Sequence, residues 1–322
     1  MSQPGAIENG VLHGHGGYLF LARGAHRVIE LATGRTEVSV ESIERFGENL
    51  KQRISWAESH NAKYLHIVFP DKQSVASEYW PFPTLISIAQ QYVDRFNYLS
   101  QYVEFPRSLI IDHLNRAIGK VDTHYEAYGQ IIIAARVAER VLGTSQHSQQ
   151  DKLLAGLTKE VTHTGDLGSK LSPQISEVTL QQTFHWDQIS LTNGVVQGNN
   201  GIIDIRFSKG AENKQRVLII GDSFCRGLAF QLSYWFRETL FVRSGYFHPE
   251  IADAFRPDVL ITGQVERYLD NCVSDASAPW YFSYPALNDP NYSSSKEFQQ
   301  ALSAVLRYPG KVYEDYIKSL KL

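Results

Sequence analysis

The sequence predicts an α/β protein: a parallel sheet covered by helices on both faces. Two observations carry this. Strand-like apolar runs alternate with helix-like periodic stretches in both halves of the chain, and Gly or Pro punctuates the junctions. A chain of 322 residues, 43% hydrophobic and 20% charged, has the composition of an ordinary globular protein and can bury a large core.

In the first half, Val40, Ile43, Phe46, Leu50, Ile54 and Ala57 recur at spacings of three and four, which predicts an amphipathic helix over 39–60. Residues 64–69 read as a buried strand stopped by Pro70, and 85–92 as the helix that follows. A further helix is expected over 129–142, with Gly143 placed where a left-handed cap is easiest. The polar run TSQHSQQDK then reads as a surface excursion at about 144–152 within one domain spanning 1–322. In the second half the expected order is strand 216–220, helix 224–236, strand 240–243, helix 249–255 and strand 259–262, with a helical tail from about 296 to 322. Ligands of open α/β sheets bind beyond the carboxyl ends of the strands, so chemistry is sought there.

Charge excludes one class of function. With 31 Lys plus Arg against 34 Asp plus Glu, the net is -3, and no basic cluster suits a nucleic-acid backbone. Cys225 and Cys272 show neither CxxC spacing nor a Cys/His grouping. No apolar run approaches the ~20 residues that span a bilayer, and the opening lacks the pattern of a secretory signal. A cytoplasmic location is the expectation, or a periplasmic one for a chain that has lost its leader.

Gly221-Asp222-Ser223-Phe224 stands where a buried strand becomes a helix. A serine there has an exposed hydroxyl beside free backbone N–H groups, an arrangement that suits a nucleophile and an oxyanion site. The alternative is a serine that only caps the helix. A nucleophilic serine needs a base, and among eleven histidines the suggestive one is His124, two residues after Asp122. In an extended segment both side chains would point to one side, letting the carboxylate orient the imidazole. The alternative there is an Asp that begins a helix beside a solvated His. His13 and His15 also lie two apart, but no Cys or carboxylate stands beside them, and no metal site is expected. His163 in HTGDLGS and the pair Glu266 and Arg267 carry no defined role, an internal ion pair or a solvated helix start accounting for the latter.

Taken in order, GHGGYLFLA, IVFPDKQSVASEYWP, DTHYEAYG, VLIIGDSF and PDVLITGQVERYL make the chain resemble the bacterial alginate O-acetyltransferase family of SGNH-hydrolase-like proteins, the AlgJ/AlgX type, over most of 10–270. The resemblance implies a three-layer flavodoxin-like fold, with Ser223 as nucleophile, His124 as base and Asp122 as orienter. Tyr125 stands where the family usually has tryptophan, and the Gly-x-Asn-Asp segment of esterase relatives is missing. Gly245 and Gln264 are therefore the candidate oxyanion donors, and Tyr125 and Arg226 the candidate substrate contacts, Tyr125 reading equally as a core aromatic with no further function. The implied function is O-acetyl transfer to a sugar hydroxyl in polysaccharide or glycoconjugate synthesis. Carbohydrate acetylester hydrolysis and non-catalytic sugar binding are the alternatives. No cofactor is expected to be held; the acetyl donor would be acetyl-CoA in the cytoplasm, or a membrane acetyl-donor partner for an exported form.

Overall fold

Long stretches of β-branched and aromatic residues form strands where both faces can be buried, and here they assemble into one large sheet. The computed structural model describes residues 3–24, 26–183, 188–196, 198 and 200–321. Its seven-stranded sheet runs in the order Val103–Glu104, Lys63–Phe69, Val259–Val265, Asn213–Gly221, Phe236–Arg243, Ile203–Ser208, Gln188–Thr192. The first five strands are mutually parallel. The last two each run antiparallel to the strand before them. This is a mixed α/β architecture with a mainly parallel sheet flanked by helices.

Successive strand residues face opposite sides, and the two cores follow that alternation. Val217, Ile219, Val259 and Ile261 pack on one face with Ile131, Ala135 and Ala138 of the helix Ala127–Leu142 and Leu228 and Leu232 of the helix Ser223–Leu232. Leu218, Ile220 and Leu260 pack on the other with Phe46, Leu50 and Ile54 of the helix Val40–Ser59, Ile251 and Phe255 of the helix Pro249–Phe255, and Phe298 and Val305 of the helix Lys296–Val305. Each such Val, Leu, Ile or Phe side chain contributes about 1.5–3 kcal/mol by leaving water.

Most expected elements are present, with boundary changes that have local causes. Ser39 caps the helix Val40–Ser59 by accepting from Ser42 N, and Gly143 ends Ala127–Leu142 at φ 74°. The polar excursion expected at 144–152 is instead largely the helix His147–Ala155, anchored by the buried Leu153. The helix expected to reach Phe236 ends at Leu232, because Phe236 already begins the next strand, paired with Asn213. Not expected were the two antiparallel strands, the N-terminal hairpin strands Val11–His13 and Leu19–Leu21, and the hairpin Leu157–His163 with Glu177–Gln182. That last hairpin is largely polar and exposed, so its sequence lacks an apolar face to read.

The topology places a crevice. From Asn213–Gly221 the chain crosses to Phe236–Arg243 on one side, then returns to Val259–Val265 on the other. The two connections part above the carboxyl ends of these central strands, where open α/β sheets bind ligands. Ser223 follows directly on the first of them. No described helix is long and apolar enough to cross a membrane.

Candidate active site

The turn from strand to helix at Ser223 is built by its two predecessors. A Cβ on Gly221 would lie 2.3 Å from both Cys225 Sγ and the Gly263 carbonyl oxygen, so only glycine lets the helix close onto the neighbouring strand. Asp222, not Ser223, is the helix cap. Its Oδ1 accepts from Phe224 N (2.9 Å) and Cys225 N (3.3 Å), and its Oδ2 accepts from Val265 N at 2.7 Å. Burial pushes the Asp222 carboxyl up, against the pull of these bonds. Ser223 is thereby released from capping. Its hydroxyl, half-buried, lies 2.9 Å from His124 Nε2, and its backbone N–H makes no hydrogen bond among the described residues.

Asp122-Thr123-His124 is a turn rather than the expected extended segment. Asp122 Oδ1 accepts from both His124 N (2.8 Å) and His124 Nδ1 (2.9 Å), an Asx-turn geometry that folds the ring back over its own carboxylate. The carboxylate also receives His163 Nε2 at 2.9 Å and Asp166 N at 3.3 Å on Oδ2. Burial alone would raise Asp122, but the donors from His124 and His163 outweigh it and hold the carboxyl well below its usual range. An ionised carboxylate only accepts, so both imidazoles donate to it, and His124 Nε2 is left to accept the Ser223 proton.

The segment 163–168 clasps this turn. Gly165, at φ +68°, approaches so closely that a Cβ would lie 2.3 Å from Val121 O; Leu167 N and Gly168 N both donate to Val121 O, and Asp166 accepts from Thr123 N and Oγ1. Lys72, buried, donates to Leu19 O (3.1 Å) and Lys120 O (3.0 Å), tying the N-terminal hairpin to the same turn. Burial lowers its pKa to about 8, against the attraction of Glu177, Asp122 and Asp166. Asp122, His124 and Asp166 each offer a ligand atom within 4.8 Å of the others. In the same turn Asp122 Oδ1 meets His124 Nδ1, Asp166 accepts from Thr123, and His124 Nε2 meets Ser223 Oγ.

The remaining predicted residues divide. Gly245 is exposed two residues beyond the strand Phe236–Arg243, held near the serine turn by Ser244 N donating to Gly221 O at 3.1 Å, and its own amide is unengaged among the described residues. Gln264 is a correction: it alternates with Gly263 and Val265 onto the face away from the serine helix, and its amide points to Cys272 Sγ at 3.6 Å. For Tyr125 the structure selects the core reading over the substrate contact. Only 5% exposed, it donates to Pro70 O at 2.6 Å and packs edge-on against Phe224, beneath the site rather than beside its entrance. Arg226 forms a two-pronged ion pair with Asp204 (2.6 and 3.0 Å), pinning the serine helix to the antiparallel strand. His13 meets Glu8 at 3.7 Å while His15 is exposed in the following turn.

Residues beneath the site complete it. Phe224 lies 4.8 Å from the His124 ring and the Arg267 guanidinium 5.4 Å from Phe224. Arg267 is ion-paired with Asp71, as a buried rather than a solvated pair. Glu266, fully buried, accepts from Asp71 N, Ser87 Oγ and Ala89 N, and burial raises its pKa. Sequence reasoning missed His163 and Asp166 as carboxylate partners; the Gly between them was the available signal.

Fold and site together define an α/β protein with a serine, histidine and aspartate hydrogen-bonded in series at the carboxyl edge of its sheet. No family model and no curated protein matches the sequence. Solved structures do share the fold. PatB1 of Bacillus cereus aligns with a TM-score of 0.58 at 11% identity, covering 80% of this chain and 96% of that one. A DHHW family protein from Eubacterium siraeum gives 0.55 at 13%, covering 84% and 95%. The O-acetyltransferase domain of Pseudomonas putida AlgJ gives 0.52 at 14%, covering 88% and 99%. The chain is thus similar in fold to proteins of the kind its motifs resemble.

Proposed function

We propose that the protein is a serine-dependent O-acetyltransferase that moves an acetyl group through Ser223 to a sugar hydroxyl. The observation that carries this reading is the 2.9 Å contact from Ser223 Oγ to His124 Nε2, continued at 2.9 Å from His124 Nδ1 to Asp122. In the proposed cycle Ser223 Oγ attacks the acetyl carbonyl as His124 takes its proton, and Asp122 stabilises the imidazolium that forms. The developing oxyanion is directed to the unengaged amides of Ser223 and Gly245. His124 returns the proton to the leaving group, giving acetyl-Ser223; it then takes the proton of the sugar hydroxyl as that oxygen attacks the ester, and passes it to the departing Ser223 Oγ, which frees the serine. General-base catalysis of this kind supplies about 10²–10⁴-fold and an oxyanion donor about 10²–10³-fold.

Two further features support the reading. One shared fold belongs to a structure described as an O-acetyltransferase domain. Counted from the Ser223 strand and continued through the N-terminal half, the five parallel strands fall in the order 2-1-3-4-5, which we read as the flavodoxin-like arrangement entered at its fourth strand. We further propose acetyl-CoA as the donor for a cytoplasmic form and a membrane acetyl-donor partner for an exported one.

The test is how acetyl-Ser223 partitions. With p-nitrophenyl acetate as donor, hexose or uronic-acid oligosaccharides should yield O-acetylated sugar and suppress free acetate, because an oriented hydroxyl outcompetes bulk water. Unchanged acetate release and no acetylated sugar across a broad panel would make hydrolysis the function.

A further inference from the structure

The Asp122 carboxylate is shared between two imidazoles, and only one of them faces the serine. Oδ1 serves His124, through its amide and its ring; Oδ2 serves His163 Nε2 at 2.9 Å and Asp166 N at 3.3 Å. His163 is the last residue of the strand Leu157–His163, and the clasp of Gly165, Leu167 and Gly168 on Val121 delivers its ring to the carboxylate. A carboxylate held by one partner can rotate about its Cβ–Cγ bond; held from both oxygens, its plane is fixed. Such outer hydrogen bonds set the orientation and basicity of a functional histidine.

We propose that His163 is a positioning residue of the reaction: by donating Nε2–H to Asp122 Oδ2 it fixes the carboxylate plane in which Oδ1 receives His124 Nδ1–H, and so holds His124 Nε2 on Ser223. This rests on the reading of Ser223 as nucleophile. It also carries a charge consequence. Neutral His163 donates without adding charge. A second proton places a cation on the far oxygen of the carboxylate that must stabilise the His124 imidazolium, so the two rings compete for one anion. The groups around His163 are Asp122 and His124 in the turn, Glu126 at the following helix start, Asp166 in its own loop, Glu177 opposite it in the hairpin and Lys72 behind the turn.

The experiment compares His163→Ala, His163→Gln and Ser223→Ala in the full chain, with p-nitrophenyl acetate as substrate. His163→Ala should lower kcat by about 10–100-fold with little change in KM, and His163→Gln, which keeps an N–H donor but cannot become charged, should recover most of that loss. The low-field proton on His124 Nδ1, followed by NMR in a Ser223→Ala background, should shift when His163→Ala is added. That last readout does not depend on turnover. Normal activity in Ser223→Ala, with the NMR shift still present, overturns the nucleophile and leaves the His163 contact standing. Normal kcat and an unmoved resonance in His163→Ala overturn the positioning role. Equal losses in the Ala and Gln variants, with a lowered Tm, also overturn it, leaving a structural part only.

Discussion

Among the described residues, two serine–histidine–carboxylate chains stand at the ends of adjacent parallel strands, and their contrast separates a site from a structural knot; a third, Ser59, His60 and Asp253, lies exposed at the end of the helix Val40–Ser59. In the second, Ser244 Oγ lies 2.7 Å from His248 Nε2, and His248 Nδ1 lies 3.3 Å from Glu250 Oε1. By serine–imidazole distance alone it is as good as the pair of Ser223 and His124 at 2.9 Å. Yet Ser244 is 3% and His248 0% exposed, whereas the His124 side chain is 36% exposed. Ser244 Oγ already accepts from Tyr246 N, and Glu250 Oε1 from Tyr281 N. Burial pushes the His248 pKa down, against the pull of Glu250. What distinguishes Ser223 is therefore access, a free amide beside its hydroxyl and a carboxylate with four donors, not the hydrogen-bond length.

The largest expected effect falls on the open chain. Ser223→Ala and His124→Ala should each lower kcat on p-nitrophenyl acetate by at least about 10³-fold, and the double variant should be little worse than either, since the residues act as a unit. Additive losses would break the comparison by showing two independent contributions.

The sealed chain should respond in stability instead. Ser244→Ala leaves the Tyr246 amide and His248 without their partner and should cost about 1–3 kcal/mol in denaturant unfolding, with kcat within about threefold of wild type. Because the folded His248 pKa lies below its unfolded value, the unfolded state binds more protons as pH falls through about 6.5, so stability declines in that direction. His66, also lowered by burial, adds to the same slope. His248→Gln should flatten the decline by at most about 1.4 kcal/mol per pH unit. An unchanged slope would show that His248 is already protonated in the fold.

How far the sequence could be read follows from the same contrast. Gly221-Asp222-Ser223 was legible because an apolar strand, a turn and a helix adjoin in the chain, and Asp122 with His124 because two residues suffice to state an orienting pair. Even so, the pair is made by an Asx turn rather than an extended segment, and the cap fell to Asp222 rather than Ser223. Gln264 was misjudged, and Tyr125 left between two readings, because strand alternation and burial, set by distant packing, decide where their side chains go. His163 and Asp166 stayed without a role because they reach Asp122 only through a polar hairpin and the tight approach at Gly165, contacts more than forty residues apart. The Ser244 chain escaped notice for the opposite reason: its residues are close in sequence, but only burial reveals that they are closed to substrate.

The central claim is that acyl transfer begins at Ser223 and nowhere else. Intact-mass analysis after brief exposure to p-nitrophenyl acetate, with peptide mapping of the product, tests it directly. The account predicts one acetyl group on wild-type protein, mapped to Ser223, and none on Ser223→Ala, while Ser244→Ala is labelled like wild type. Equal acetylation of Ser223→Ala, or label mapped to Ser244, would contradict it.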